Sequence, residues 1–171
     1  MRQIRPGQPA PPLEVTRLDG GPWRLAEQRP PRFTLVLFYR GLHCPICRVQ
    51  LRDLDRRVAT FREAGVEPVA VSMDDAERAR RSREEWGIAE LPLAWGLDEA
   101  TARAWGLFLS RGIKEGEPAL FSEPGLFLVR PDGTLYGGVI QTMPFTRPDF
   151  DALLKAVEFI EANGYPPRGE A

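Results

Sequence analysis

The stretch FTLVLFYRGLHCPIC, residues 33–47, joins an apolar run to the start of a helix. Its first half is aromatic, aliphatic and β-branched, which predicts a buried strand. Pro45 suits the first position of a helix, because its φ is already helical and its missing N–H is not needed there. The helix itself is predicted from apolar positions at helical spacing, which are Cys47, Leu51, Leu54, Val58 and Phe61.

Cys44 and Cys47 are the two cysteines of the chain. Cys44 is predicted to cap the helix, where free backbone N–H groups and the helix dipole favour an anion such as a thiolate. Cys47 follows one turn later on the same face, near enough to form a disulfide with Cys44. We therefore predict a redox pair in which Cys44 is the low-pKa nucleophile and Cys47 the resolving thiol. Because Cys47 is also on the buried stripe, a purely apolar role for it stays open.

The length of 171 residues predicts one domain over residues 1–171, with a core from about 12 to 163. Apolar residues make up 43% of the chain, which excludes a disordered protein. Its 23 basic and 24 acidic residues nearly cancel, so charge gives no reason to expect nucleic acid or a membrane surface as a partner.

The N-terminus lacks the apolar core of a signal peptide, and no window is apolar enough to span a membrane. We expect a cytoplasmic protein, in which two neighbouring cysteines indicate a redox pair or half of a metal site.

The order of the predicted elements indicates an α/β fold with a mixed sheet and helices on both faces. A second buried strand, at residues 66–72, should run parallel to the first because a helix connects the two. Residues 107–123 have no clean period and are expected to form an inserted loop or short helix. The other predicted elements are a hairpin at 13–25, helices at 74–86 and 98–105, a short apolar segment at 91–95, a strand pair at 125–140, and a helix from about 148 past 160.

The chain resembles the peroxiredoxin-like branch of the alkyl hydroperoxide reductase/thiol-specific antioxidant (AhpC/TSA) family over residues 6–162. The likeness is carried by the core Arg-Gly-x-x-Cys-Pro-x-Cys at 40–47, by GQPAP at 7–11, by VAVS at 69–72 and by LVRPDG at 128–133. The resemblance implies a thioredoxin-like three-layer sandwich with an N-terminal β-hairpin, and a reactive thiol at Cys44.

The sequence departs from the pattern of that family at three positions. Leu37 and Gly41 stand where peroxiredoxins carry a proline and a Thr or Ser, and Pro124 stands where they carry an active-site arginine. Arg40 and His43 are the polar residues of the motif that could replace these groups. Arg40 could attract an anionic sulfur or orient a peroxide, and His43 could act as a base or a cation. Either side chain could instead be solvated or turned away from the thiols.

The resemblance also places Pro124 in the position of the cis proline of a thioredoxin fold, facing the cysteines. We therefore expect a cis Glu123–Pro124 bond, with a trans turn proline as the alternative. Pro124, Gly41 and Pro45 are predicted to line the substrate groove. Glu123 is a candidate for proton transfer.

These residues predict a thiol-dependent oxidoreductase with no bound cofactor, in which Cys44 attacks a disulfide or a peroxide and Cys47 resolves the intermediate. A thioredoxin- or glutathione-type thiol would reset the enzyme. Because two donors of the family are missing, we expect disulfides and organic hydroperoxides to react faster than hydrogen peroxide. Two alternatives stay open: a partner-binding domain without catalysis, and a zinc half-site, which would need ligands beyond Cys44, Cys47 and His43.

Overall fold

The computed structural model describes residues 4–171, which form a seven-stranded mixed sheet and a separate two-stranded hairpin. The strands are β1 (Glu14–Arg17), β2 (Gly21–Arg24), β3 (Phe33–Phe38), β4 (Val66–Val71), β5 (Leu93–Trp95), β6 (Leu109–Arg111), β7 (Leu120–Ser122), β8 (Gly125–Val129) and β9 (Leu135–Ile140). The helices are α1 (Pro45–Glu63), α2 (Ala76–Trp86), α3 (Glu99–Ala104) and α4 (Phe150–Asn163), with one turn of 3₁₀ helix at Leu25–Glu27. None of the helices in residues 4–171 is long and apolar enough to cross a membrane.

Strand β3 lies inside the large sheet, whose order is β2-β1-β5-β4-β3-β8-β9. It runs parallel to β4 and antiparallel to β8. The parallel pair confirms the prediction made from the helix that connects them. The hairpins β1–β2 and β8–β9 are also confirmed.

Helices cover both faces of this sheet, so β3 is buried on both sides. Leu35 and Leu37 pack into the core that contains the buried stripe of α1 and the apolar residues of α4. Val36 and Phe38 point the other way, into a core that Trp105, just after α3, helps to fill. Burial on both faces explains why the strand is a continuous apolar run rather than an alternating one. The predicted α/β fold class is confirmed.

Helix α1 begins and ends where the sequence predicts. Cys44 is its N-cap, with extended backbone angles, and Pro45 is its first residue. At the other end Gly65 follows the C-cap residue Ala64 with a φ of +77°, a conformation that glycine adopts without a steric penalty. The short link from β3 to α1 therefore holds Cys44 at the carboxyl end of an interior strand.

Residues 107–123 are a β-hairpin, so the expectation of a loop or short helix was wrong. Strands β6 and β7 pair antiparallel, with Leu109 opposite Ser122 and Arg111 opposite Leu120. Each strand is only three residues long, which is too short to show the alternation that identifies a strand in sequence.

The expected cis bond before Pro124 was also wrong, because every peptide bond in residues 4–171 is trans. The Glu123 N–H donates to the Phe108 carbonyl at 2.7 Å, and the Pro124 carbonyl accepts from the Gln141 N–H at 3.0 Å. These two hydrogen bonds keep the backbone extended from β7 into β8. A trans peptide bond before Pro124 allows this extended path.

Candidate active site

The two cysteines are free thiols, and they are in contact at the start of α1. The Cys47 N–H donates to Cys44 Sγ at 3.2 Å. The Cys44 N–H donates to the Gly41 carbonyl at 3.1 Å, which fixes the turn before the helix. Both side chains are buried.

The environment separates the pKa values of the two thiols. A hydrogen bond from the Cys47 thiol lowers the pKa of Cys44 to about 6 against the opposing effect of burial, helped by the Cys47 N–H and by the charges of Arg147 and Arg40. Burial, together with the neighbouring Cys44, raises the pKa of Cys47 well above its usual value. At neutral pH Cys44 therefore carries the negative charge and Cys47 keeps its proton, the arrangement that a nucleophile and its resolving thiol require.

Arg147, which the sequence analysis missed, is the cation that contacts these thiols. Its Nη2 lies 3.6 Å from Cys47 Sγ and 4.0 Å from Cys44 Sγ. Its Nη1 donates to the carbonyls of Pro144 and Thr146 at 2.7 and 2.8 Å, and its Nε donates to Gln50 Oε1 at 3.1 Å. Gln50 is buried although it is polar. A glutamine on the buried side of α1, one turn after Cys47, was the one sequence signal that could have indicated this contact.

The Arg40 guanidinium is close to the site but has no hydrogen bond to either thiol, whereas the Arg40 backbone bonds to the Cys47 thiol and lowers its pKa against the effect of burial. Arg40 Nε lies 3.2 Å from Glu123 Oε2, and the guanidinium stacks over the Phe121 ring at 4.8 Å. Glu123 is buried and also accepts a hydrogen bond from the Ser110 hydroxyl at 2.6 Å. The carboxylate partly balances the charge of Arg40, which acts on Cys44 only at longer range. The contacts of Glu123 hold the hairpin to the active-site turn, and its role in proton transfer stays a prediction.

His43 faces the hairpin. Its ring centroid is 4.5 Å from that of Phe121, and within residues 4–171 neither ring nitrogen has a hydrogen-bond partner. Burial, followed by the charge of Arg40, lowers the pKa of His43. With its pKa lowered, the ring supplies little positive charge to Cys44 at pH 7. Its contact with Phe121 favours the alternative in which His43 is turned away from the thiols.

A buried carboxylate explains why residue 41 is a glycine. Asp74, whose side chain is fully buried, accepts the Leu42 N–H at 2.8 Å and pairs with Arg78 Nε at 2.8 Å. Gly41 has a φ of +124°, and a Cβ added to it would lie 2.7 Å from both carboxylate oxygens of Asp74. Asp74 thus occupies the space in which a threonine or serine side chain would have to fit.

The other two residues predicted to line a groove differ in their exposure. Pro45 is exposed at the first position of α1, whereas Pro124 is buried just before β8. Their role in binding a substrate stays a prediction. In residues 4–171 no group of three or more His, Cys, Asp and Glu side chains is placed to hold a metal ion. The zinc alternative would therefore need ligands from another chain.

A free thiol at the start of a helix that follows an interior strand, within a sheet of this order, defines the class of thioredoxin-like thiol proteins. The model of the AhpC/TSA family matches residues 6–137. The chain belongs to the AhpC/TSA family, and the resemblance inferred from the sequence is confirmed.

Two relatives from the sequence comparison carry peroxiredoxin names. The chain is 30% identical over 106 residues to "Putative peroxiredoxin Rv2521" of Mycobacterium tuberculosis, in a match that covers 62% of this chain and 66% of that one. It is 24% identical over 147 residues to "Putative peroxiredoxin ycf42" of Trieres chinensis, covering 82% of this chain and 68% of the relative. The chain thus matches just under two thirds of the length of the mycobacterial relative.

Solved structures show the same fold at low sequence identity. A peroxiredoxin-like protein from Aquifex aeolicus superposes with a TM-score of 0.75 at 17% identity, covering 94% of this chain and 90% of that one. Peroxidoxin BcpB from Mycobacterium tuberculosis gives a TM-score of 0.75 at 17% identity, covering 92% and 99%. These structures confirm the predicted thioredoxin-like architecture.

Proposed function

We propose that the chain is a thiol-dependent oxidoreductase that reduces hydroperoxides or small disulfides through Cys44, with Cys47 as the resolving thiol. One observation carries the proposal: two free thiols meet at a helix N-terminus, and their surroundings make Cys44 the thiolate and Cys47 the thiol. Membership of the AhpC/TSA family and the peroxiredoxin names of the relatives support an enzyme of this kind.

With a hydroperoxide, the cycle has two steps on the protein. The Cys44 thiolate attacks one peroxide oxygen, the O–O bond breaks, and the other oxygen takes up a proton and leaves as an alcohol or water. Cys44 is then a sulfenic acid. Cys47 attacks its sulfur, an S–S bond forms, and the sulfenic oxygen leaves as water. With a disulfide substrate, the Cys44 thiolate attacks one sulfur, the S–S bond of the substrate breaks, and the other half takes up a proton and leaves as a thiol. Cys47 then loses its proton and attacks the mixed disulfide at Cys44, so that a Cys44–Cys47 bond forms and the remaining half leaves as the second thiol.

The proposed reductant is an external thiol of the thioredoxin or glutathione type, which restores both cysteines at the expense of its own oxidation. We place this reaction in the cytoplasm, where such thiols are kept reduced. The cycle needs no bound cofactor.

The preference for organic hydroperoxides and small disulfides over hydrogen peroxide is part of the proposal. Gly41 provides no hydroxyl donor. Arg147 supplies a guanidinium beside the sulfurs, although the family position of the active-site arginine holds Pro124. Met143 and Phe145 belong to the same turn as Arg147, and they are 58% and 77% exposed. They offer apolar contact to an organic substituent, which hydrogen peroxide does not have.

The test mixes the reduced protein with hydrogen peroxide, an organic hydroperoxide or a small disulfide in a stopped-flow instrument, and then maps the oxidised protein by peptide mass spectrometry. We expect a Cys44–Cys47 linkage that dithiothreitol reverses, and larger rate constants for the two organic substrates. The Cys47→Ser variant should stop at the sulfenic acid, and the Cys44→Ser variant should not react. Two thiols that stay free under excess oxidant would disprove the redox cycle and favour a binding domain.

A further inference from the structure

One guanidinium nitrogen serves both sulfurs of the site. Nη2 of Arg147 is within 4.0 Å of Cys44 Sγ and is closer to Cys47 Sγ, at 3.6 Å. The other nitrogens of the group are occupied by the carbonyls of Pro144 and Thr146 and by Gln50. These contacts fix the orientation of the guanidinium, so Nη2 is held against the two thiols.

Activation of the second thiol is a chemical problem that helix capping does not solve. Cys47 lies on the buried stripe of α1 and keeps its proton in the reduced protein. A protonated thiol is a poor nucleophile, so Cys47 must lose its proton before it attacks the sulfenic acid on Cys44. The capping position that favours a thiolate belongs to Cys44 alone.

We propose that Arg147 is a catalytic residue of this second step, in which it stabilises the thiolate of Cys47 once Cys44 has been oxidised. The inference rests on the proposed function and adds a role that changes sulfur during the cycle. Arg147 is near both sulfurs throughout: in the reduced protein the anion beside it is Cys44, and after oxidation the anion beside it is Cys47.

The change of partner follows from charge. In the reduced protein burial and the negative Cys44 raise the pKa of Cys47, and they outweigh the hydrogen bond from Arg147, which lowers it. Formation of the sulfenic acid removes that negative charge, while the guanidinium stays protonated at any physiological pH. Cys47 then has a positive neighbour and no longer an anionic one, so its pKa falls at the stage when its thiolate is needed.

The step balances without any further reagent. Cys47 gives its proton to solvent, and its sulfur forms a bond to Cys44 Sγ as the S–O bond of the sulfenic acid breaks. The departing hydroxide takes up a proton and leaves as water. One electron pair passes from Cys47 to the Cys44 sulfenic acid, so Cys47 is oxidised and the sulfenic sulfur is reduced to the disulfide level.

Gln50 is the positioning residue of this arrangement. Its buried Oε1 accepts the Arg147 Nε–H, which fixes the plane of the guanidinium and hence the direction of Nη2. Gln50→Met keeps the volume of the side chain and removes the acceptor. We expect Gln50→Met to raise the pH midpoint of disulfide formation and to slow this step, but by less than Arg147→Gln does.

The experiment separates the two steps by rapid quench. The reduced protein is mixed with an organic hydroperoxide between about pH 6 and 9, and aliquots are quenched with dimedone, which labels sulfenic acid, or with acid for disulfide mapping. Arg147→Gln should raise the pH midpoint of disulfide formation, and it should slow that step about tenfold or more at pH 7, since one pKa unit corresponds to tenfold in thiolate. Arg147→Lys should lie between Arg147→Gln and the wild type.

Arg48→Gln is the matched control, because Arg48 is exposed on α1 next to Cys47 and its loss changes the net charge equally. Arg48→Gln should leave the pH midpoint of disulfide formation unchanged. If Arg147→Gln slows only the first step and keeps the wild-type midpoint for the second, the inference is wrong. If Arg147→Gln does not fold, the midpoints of Arg147→Lys and Gln50→Met decide in its place. If the wild-type protein forms neither sulfenic acid nor a Cys44–Cys47 disulfide, the proposed function fails and the inference falls with it.

Discussion

Cys44 and Cys47 are chemically identical residues that the fold makes unlike. Cys44 caps α1 and receives an N–H bond, whereas Cys47 lies among the apolar residues of the core. A hydrogen bond from one thiol to the other then directs the charge to Cys44. The difference in reactivity therefore belongs to the pair and not to either residue alone.

Alkylation of Cys44 should follow a pH midpoint near 6, well below the ~8.5 of a free thiol. The measurement is the rate of iodoacetamide modification against pH in Cys47→Ser and Cys47→Ala. Both variants keep the backbone N–H, but only serine keeps a side-chain donor, so the midpoint should be lower in Cys47→Ser. A midpoint at or above the free-thiol value in Cys47→Ser would contradict the assignment.

His43→Asn should leave that midpoint within a few tenths of a pH unit, whereas Arg147→Gln should raise it. The reason is that His43 carries little positive charge at pH 7 and stacks on Phe121, while Arg147 contacts the sulfur. Both substitutions are measured in the Cys47→Ser background by the same alkylation assay. An upward shift of a full unit in His43→Asn would give the histidine the role of a cation after all.

The positions of the two thiols at the start of α1 could be predicted from the sequence, because the cap, the proline and the apolar stripe are all within one local stretch. It could not predict Arg147, which is 100 residues from Cys47 and contacts it only through the tertiary fold. The family position at which an arginine was expected holds Pro124, and the structure provides a guanidinium from the turn before α4 instead. The cis expectation for Pro124 failed because position in the chain does not determine peptide geometry, which the pairing of the neighbouring strands does.

At the scale of elements, long segments were predictable and short ones were not. Strands β3 and β4 and helices α1 and α4 follow from apolar runs and stripes several residues long. The β6–β7 hairpin has three-residue strands joined by a glycine- and glutamate-containing loop, and its stability comes from tertiary contacts. Phe121 packs against both Arg40 and His43, which no local pattern reveals.

Gly41→Ala should destabilise the protein by about 2–4 kcal/mol, since the left-handed backbone costs an alanine about 1–2 kcal/mol and the clash with Asp74 adds to that. Gly133→Ala is the control for the backbone component, because Gly133 has a φ of +85° with open space around it. Urea unfolding of both variants gives the comparison. Equal losses of stability would mean that Asp74 moves aside without penalty and does not explain the glycine.

At the scale of the whole molecule, the fold depends on where residues are buried more than on which residues they are. The solved relatives share 17% of the sequence and still superpose over at least 92% of this chain. Apolar residues of suitable size can exchange within such a core without changing its architecture. The site depends on individual side chains, so it can differ while the sheet stays the same.

The stability of the reduced protein should rise with pH between about 6 and 8.5. In this range the unfolded chain holds a proton on Cys44 that the folded chain has released, because folding lowers the pKa of Cys44. One such proton gives a slope of up to about 1.4 kcal/mol per pH unit. Above that range the raised pKa of Cys47 reverses the sign, since the folded chain then keeps a proton that the unfolded chain loses.

Urea denaturation with a reductant present, at several pH values, measures this slope. The Cys44→Ser variant is subtracted at each pH, which removes the contribution of His43 and of the carboxylates. A difference that does not change with pH would mean that Cys44 is protonated in the folded protein.

Among the strands of residues 4–171, the β6–β7 hairpin pairs only with itself and adds no strand to the large sheet. Its base is fixed by Phe121 and Glu123. In the tip loop the Gly116 carbonyl accepts from Arg78 Nη2 at 3.2 Å, whereas Ile113 is 89% exposed. Loop-closure entropy grows slowly with length, by roughly 0.6 kcal/mol for each doubling, so insertions at that tip would disturb folding little. Changes in the sequence or length of that tip can therefore reshape the surface beside the reactive thiol while the large sheet and α1 keep their structure.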